Sequence, residues 1–505
     1  LLKLRLFRKA MIESFLEKLE DKINKIEEKK EYFKIKPTIC VVGRLSVGKS
    51  SFLNLLLGKE IFKSSIGENT KKITQIKLSD GALLKFELEK EEFKLKGEVY
   101  AKSKIYPEIL TFLDIVDVPG YDKSYDEEIL NYLKKGKYDI VLYILDIAKG
   151  LSKIDKEFLE LLKNRQPYVL FVLNKIDLAT GEDKENFKRV IDNIQYNIEK
   201  IYPKNKNLGY VPVSAMKFRN NKTLIQFLQN IIIITSYVST FKTNLNIMRN
   251  GFIENFNKEM TNIRNKDKHY INFYLRELKA GLDEISSLDI MMDAQKVLKE
   301  LIDDLNSKLI KKISVDMERI RKSLNEEIDK TKKRINDMSI SYIEILDLDL
   351  NYGISQLNLI SNIFNFDIEQ NAYSDDMFDE LFGGLIISVG GGILAELALG
   401  ALIPGIGTFV FLGSLVYAFI NLKNKVDEIR EKVYKEVSRK LPSIIADGWE
   451  NICNEIEKNY IQQIDYITNN EDVNEFLDNL IMAAFDMNSK LSDFIIYNVD
   501  ELCGV

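Results

Sequence analysis

The chain is poor in residues that many hydrolases and metal sites depend on. Only one of its 505 residues, His269, is histidine. That argues against a His-based catalytic triad and against a His-rich metal centre. Cysteine is scarce as well. Cys40, Cys453 and Cys503 are odd in number and spaced like no zinc motif, so they read as reduced thiols in a cytosolic setting. Basic excess is missing too: the formal net charge is -5, which argues against nucleic acid as a partner. Proline thins out along the chain, with no occurrence between Pro212 and Pro404. Proline inside a helix costs roughly 3 kcal/mol, so this long gap implies long helices. The chain opens on Leu1 rather than Met, which leaves room for an upstream start.

What is present suffices for real cores. Hydrophobic residues make up 45% and charged residues 30%, and the length suggests roughly two to four domains. Residues 1–35 read as a helix of a helical neck, with Met11, Phe15, Leu19, Ile23 and Ile26 at helical spacing. Residues 36–235 change character. The runs TICVV, LDIVDV, DIVLYILDI and YVLFVLNKI are apolar and β-branched, and helical stretches separate several of them. This pattern predicts an α/β domain with a mostly parallel sheet and helices on both faces. Residues 236–380 return to helix. From Val297 the stripe Leu301, Leu305, Leu309, Ile313, Met317, Ile320, Leu324 and Ile328 describes one long amphipathic helix of a bundle. An apolar block follows at 381–422, and returning helices fill 423–505.

The chemistry concentrates in the α/β part. GRLSVGKSS, from Gly43 to Ser51, follows a predicted strand and opens a predicted helix. It matches the phosphate-binding loop, in which glycines let backbone N–H groups turn inward around phosphates. Gly43, Ser46, Val47, Gly48, Lys49, Ser50 and Ser51 are the candidate phosphate contacts. Lys49 would reach the β and γ phosphates, and Ser50 would offer its hydroxyl to Mg²⁺. DVPG ends the next strand; Asp117 would hold Mg²⁺ through water, and the Gly120 N–H would contact the γ-phosphate. NKID supplies Asn174, Lys175 and Asp177. The Asp177 carboxylate can accept from guanine N1–H and N2–H₂, a donor pair adenine lacks, so the motif selects GTP. Thr70, in ENTKKITQI, is the candidate to close onto Mg²⁺ and the γ-phosphate, with Thr74 its competitor. Ser214 and Ala215, in VPVSAM, are candidates to touch the guanine edge. The expected cofactors are GTP or GDP and Mg²⁺.

Together GRLSVGKSS, ENTKKIT, DVPGY and NKID resemble the GTPase domain of dynamin-like proteins, the bacterial members and mitofusins above all. By motif the resemblance covers about residues 36 to 215; beyond that it rests on the order of helices. It implies GTP hydrolysis, with Lys49, Ser46, Thr70 and Gly120 in the catalytic set. It also implies a neck and trunk from 1–35, 236–380 and 423–505, and homo-dimers or hetero-oligomers formed through the GTPase face. Membrane remodelling, tethering or fusion would follow, at the cytoplasmic face of a membrane. One departure stands out. Leu45 occupies the place of the dynamins' water-positioning glutamine, and Tyr121 follows DVPG where Ras-like GTPases carry theirs. Slow basal turnover is therefore expected. Arg44 is a candidate to stabilise transition-state charge, or else a solvent- or dimer-facing residue.

The block 381–422 has Glu396 as its one charged side chain and is rich in glycine. Its first arm, 381–403, is long enough to cross about 30 Å of hydrocarbon, and its second is short. A hairpin dipping into one leaflet, bent at PGIG, fits this better than two full spans. The alternative is a buried hairpin in a large core. Flanking helices with one apolar stripe each do not easily wrap such a segment.

Overall fold

A computed structural model describes residues 2–33, 35–62, 72–79, 82–88, 95–98, 107–121, 126–181, 184–285, 287–346, 426–469 and 471–503. Thr70 and the apolar block 381–422 lie outside these residues. The chain divides into two compact units. One takes the described parts of Leu1–Ile247, Arg334–Ser361 and Glu471–Val505; the other takes those of Met248–Lys333 and Asn362–Asn470.

The first unit is built on an eight-stranded sheet, in the order β4-β3-β2-β5-β1-β6-β7-β8. Its parallel part comprises β1 (Thr38–Val42), β5 (Asp114–Asp117), β6 (Ile140–Asp146), β7 (Tyr168–Asn174) and β8 (Asn207–Val213). Strands β6, β7 and β8 are buried at every residue, as strands covered on both faces must be. β2 (Thr74–Ser79), β3 (Ala82–Leu88) and β4 (Leu95–Glu98) extend the sheet antiparallel from β5. The parallel core agrees with the pattern of apolar runs. The antiparallel extension was not legible there, because its short strands are interrupted by lysine.

Register places the carboxyl ends of the parallel strands side by side. Val41 pairs with Asp117, Asp146 with Asn174, and Asn174 with Val213. The strand order reverses about β1, whose neighbours are β5 and β6. In an open α/β sheet a ligand binds outside the carboxyl ends at such a switch point.

Helices enclose this sheet. α1 (Leu2–Glu28) packs on α7 (Lys222–Ser239), and α7 also touches α2 (Lys49–Leu57). α7 is apolar on most sides because most of it is buried. Gln229 on α7 donates to the Leu56 carbonyl at 2.7 Å, satisfying one of the orphan acceptors at the end of α2. α12 (Glu471–Tyr497) lies along β8, which accounts for an edge strand being wholly buried. An aromatic cluster forms where several segments meet. Phe33 stands edge-on to Tyr237 and Tyr342, and Phe241 stands edge-on to Tyr342 and Phe476. The Tyr342 hydroxyl is 2.8 Å from Thr240 Oγ1 and accepts from Asn244 at 3.0 Å.

The second unit is helical throughout its described residues. It holds most of α8 (Phe241–Arg264), α9 (Asp267–Glu284), part of the 60-residue α10 (Ser287–Leu346), and α11 (Val426–Asn469). At 1.5 Å per residue α10 is about 90 Å long. Most of the stripe read from sequence is buried, namely Leu305, Leu309, Met317, Ile320, Leu324 and Ile328, while Leu301 and Ile313 are half-buried. Trp449 of α11 packs edge-on against Tyr270 and donates its indole N–H to the Ile263 carbonyl at 2.9 Å. Among the described residues no single helix is long and apolar enough to cross a membrane.

Candidate functional site

The loop between β1 and α2 has the geometry its sequence demands. Gly48 caps α2 in the left-handed region at φ 92°, and a Cβ there would lie 2.5 Å from the Asn174 amide nitrogen. Ser46 is also left-handed, at φ 64°, as is Lys175 at φ 70°. Non-glycine residues seldom adopt this conformation, and they gather at functional sites. The first turn of α2 carries N–H groups with no acceptor inside the helix, which favours an anion at its N-terminus.

Lys49 is 8% exposed and lies within the loop. Its ammonium donates to the carbonyls of Gly43 at 2.9 Å and Arg44 at 3.2 Å. Burial pulls its pKa from 10.5 to about 8, and the Asp117 carboxylate works in the opposite direction. Asp117 itself is fully buried at the end of β5. A Cβ on Gly120 would meet Lys49 Nζ at 2.8 Å, so DVPG and the loop lysine converge. Ser50 sits half-buried in the same first turn, with Ser51 after it. These residues fit Mg²⁺. Ser50 and Asp117 are oxygen donors on neighbouring elements, and the described residues hold no group of three or more His, Cys, Asp or Glu that could cage an ion alone. Mg²⁺ characteristically takes one or two protein oxygens and completes its shell with phosphates and water.

The guanine side is cross-braced. Asn174 donates to the Val47 carbonyl at 2.9 Å and accepts from the Ala215 N–H at 3.1 Å. It thereby ties the phosphate loop to the turn after β8. Asp177 stands half-buried on a 3-10 turn, Ile176–Ala179. Ser214 donates to Asp177 Oδ1 at 2.6 Å and accepts from the Lys217 N–H at 3.1 Å. The Ser214 hydroxyl and the Ala215 N–H thus hold Asp177 and Asn174 in place. Lys175 pairs with Asp146 at 2.6 Å and lies 3.4 Å from the Ser46 carbonyl.

Thr70 lies outside the described residues, but its competitor does not. Thr74 is buried in β2 opposite Asp117 and donates its hydroxyl to the Lys72 carbonyl at 3.2 Å. Asn54, which sequence reading overlooked, pins the chain leading toward Thr70. Its side-chain oxygen accepts from the Ile61 and Phe62 N–H groups, both at 2.9 Å.

A second network sits beside the loop. The Tyr121 hydroxyl donates to Asp155 and lies 2.7 Å from the Tyr143 hydroxyl, while its ring stacks on Phe158 at 4.2 Å. Arg44 donates to Ser152 at 2.9 Å and lies 3.7 Å from the Asp155 carboxylate. Ser152 and Asp155 form the capping box of α5 (Lys153–Lys163). Arg44 is therefore engaged at a helix cap while about a quarter of its side chain stays exposed (28%). Leu45 packs against Gly120. Neither Leu45 nor Tyr121 presents a polar group to an attacking water.

Comparison with known proteins agrees with this site. The profile of a family described as 50S ribosome-binding GTPase matches residues 38–175. An uncharacterised protein in the xynA 3' region of Caldicellulosiruptor sp. strain Rt8B.4 is 23% identical over 64% of this chain and 87% of its own. GTPase Der of Acetivibrio thermocellus is 28% identical over 28% of each chain. GTPase Era of Clostridium perfringens is 27% identical over 38% of this chain and 53% of its own. The chain thus spans about a quarter to a half of the length of the Der and Era relatives it matches. Among solved structures, Aquifex aeolicus Era bound to GDP and AlF₄⁻ is 23% identical over 38% of this chain and 55% of its own, with a TM-score of 0.26. Fold, site and relatives define a P-loop GTPase domain. Its loop, Ser50 and Asp117 fit a guanine nucleotide with Mg²⁺.

Proposed function

We propose that the chain is a dynamin-like GTPase in which the state of the nucleotide site moves long helices that act on a membrane. The observation that carries this reading is the aromatic cluster of Phe33, Tyr237, Phe241, Tyr342 and Phe476. Helices enter and leave the GTPase fold through it, so a change in the fold has a mechanical outlet. The far end of the lever is proposed to be the apolar block 381–422, inserted as a hairpin at the cytoplasmic face of a membrane. Each apolar side chain taken out of water there gains roughly 1.5–3 kcal/mol, so a few suffice for reversible attachment.

In the chemical step the α2 N-terminus and Lys49 hold the β and γ phosphates. Ser50 and Asp117 would hold Mg²⁺, which would neutralise phosphate charge when bound. Asp177 selects guanine. The engagement of Tyr121 and Arg44 elsewhere and the apolar Leu45 favour slow basal hydrolysis, accelerated when two GTPase faces meet. The same observation supports a second reading, a GTP-binding scaffold that hydrolyses poorly and assembles with a related GTPase. The ribosome association in the matched family's description bears on residues 38–175 alone, and RNA binding is set aside here because the net charge is -5.

Flotation with liposomes tests the membrane reading. The wild type should float, and the double variant Phe409→Asp, Phe411→Asp should stay at the bottom while still binding GTP. A wild type that never floats would refute it. GTP turnover at several protein concentrations, with and without liposomes, separates an enzyme stimulated by self-association from a scaffold.

A further inference from the structure

The last turns of the chain lie against the guanine-reading loop. Asp500, on the short helix α13 (Val499–Leu502), accepts from the Gly181 N–H at 2.9 Å and pairs with Lys184 at 2.5 Å. Gly181 follows the 3-10 turn that carries Asp177, and Lys184 begins α6 (Lys184–Glu199). Val499, Leu502 and Cys503 are buried, and α13 packs on that 3-10 turn. The Cys503 thiol is pushed up to about 11, by burial first and next by the Asp177 charge. Upstream, α12 is seated firmly on the same unit. Asn488 donates to the Leu208 carbonyl at 2.6 Å and to Thr235 at 3.2 Å. Lys188 of α6 pairs with Asp493 at 3.0 Å.

We propose that the C-terminal turn, through Asp500, is a latch that positions the guanine-reading loop, so that docking of α13 and nucleotide affinity depend on each other. The geometry gives the reason. Asp177 must face two donors of the base at once, so a small swing of its turn costs affinity. Ser214 holds the carboxylate from one side, and Asp500 holds the chain that follows it. Coupling between two events is reciprocal: if docking sharpens guanine binding, bound guanine nucleotide must tighten docking by the same factor. Asp500 is thus a positioning residue that acts through Gly181 and Lys184. This rests on residues 174–177 being the guanine site.

The test uses the full chain and a fluorescent GDP and GTP analogue pair. Asp500→Ala should weaken both nucleotides by about fivefold, the scale of one ordinary net hydrogen bond, since Asp500 is partly exposed. Turnover at saturating GTP should stay within about twofold, because the phosphate half is untouched. Asp493→Ala removes an ion pair on the preceding helix, α12, and should leave affinity within about twofold. A readout on the wild type needs no variant: GDP should slow amide hydrogen exchange in 497–503. Unchanged affinity in Asp500→Ala, an equal loss in Asp493→Ala, or exchange in 497–503 indifferent to GDP would each overturn the latch. A wild type that binds ATP as well as GTP would instead refute the guanine site beneath it.

Discussion

The phosphate half of the site draws its described groups from Gly43 to Gly120, whereas the base half spans Asn174 to Asp177, Ser214, Ala215 and a turn ending beside Cys503. The first half is local. A loop, one helix N-terminus and the end of a neighbouring strand suffice, because backbone N–H groups and one lysine do the binding. The second half is assembled from afar: Gly181 and Asp500, 319 positions apart, share a hydrogen bond. Phosphate recognition needs positive potential at a point, which one turn of chain can supply. Base recognition needs a planar edge matched by a carboxylate held in orientation, and that takes support from several elements.

The largest expected effect breaks the phosphate half. Lys49→Ala should lower GTP turnover by about 100-fold or more, with the far-UV circular dichroism unchanged, since a buried charge aimed at phosphate oxygens is lost. Turnover at the wild-type rate would mean the loop does not hold the reacting phosphates.

Next comes the base half. Asp177→Asn should weaken GTP by roughly 100-fold and improve xanthosine triphosphate, because the variant amide donates where the carboxylate accepted. Competition binding with the two nucleotides and ATP reads this directly, and a variant that still prefers GTP would contradict the assignment.

Asn174→Ala sharpens the comparison, for this residue belongs to both halves. It would strand the Val47 carbonyl and the Ala215 N–H together, at a cost of roughly 2–4 kcal/mol. The urea midpoint of the GTPase unit should fall accordingly. A midpoint equal to wild type would show that the halves are braced by other contacts.

The smallest effect is one of pH. The Lys49 pKa is about 8 in the folded chain against 10.5 ordinarily, so the folded state holds fewer protons between those values. The destabilisation from its buried charge is therefore full below about pH 8 and is relieved as pH climbs toward 10.5. Phosphate beside the ammonium favours its charged form, so nucleotide binding should take up a proton in that window. GDP affinity should fall by several-fold up to about tenfold between pH 8 and 9. Calorimetry in two buffers of different ionisation enthalpy should register the proton. Lys49→Arg should register none, because guanidinium stays charged throughout.

Reading the sequence located β1, β5, β6 and β7 because parallel strands buried over most of their length are written as largely apolar runs. It singled out Lys49, Ser50, Asp117 and Asp177 as candidates because the spacing of such groups from a strand end is dictated by the size of phosphate and base. The buried stripe of α10 was equally legible, since helical period converts directly into one face. The antiparallel strands β2 to β4 were not, for their alternation is short and broken by lysine. The hydrogen-bond partners of Ser214, Ala215 and Arg44 were not legible either: Asp177, Asn174 and Ser152 are near in space and distant along the chain.

The sequence by itself determined which nucleotide site this chain builds, because phosphate loops and guanine-reading motifs are local and their glycines and charges admit few other uses. Only the tertiary structure decided what braces that site. The Tyr121–Asp155–Tyr143 network, the Asn174 tie and the Asp500 latch each join segments whose meeting depends on sheet order and on where α12 lies. Such contacts are set by the packing of whole elements, and packing leaves no periodic mark at the residues it brings together.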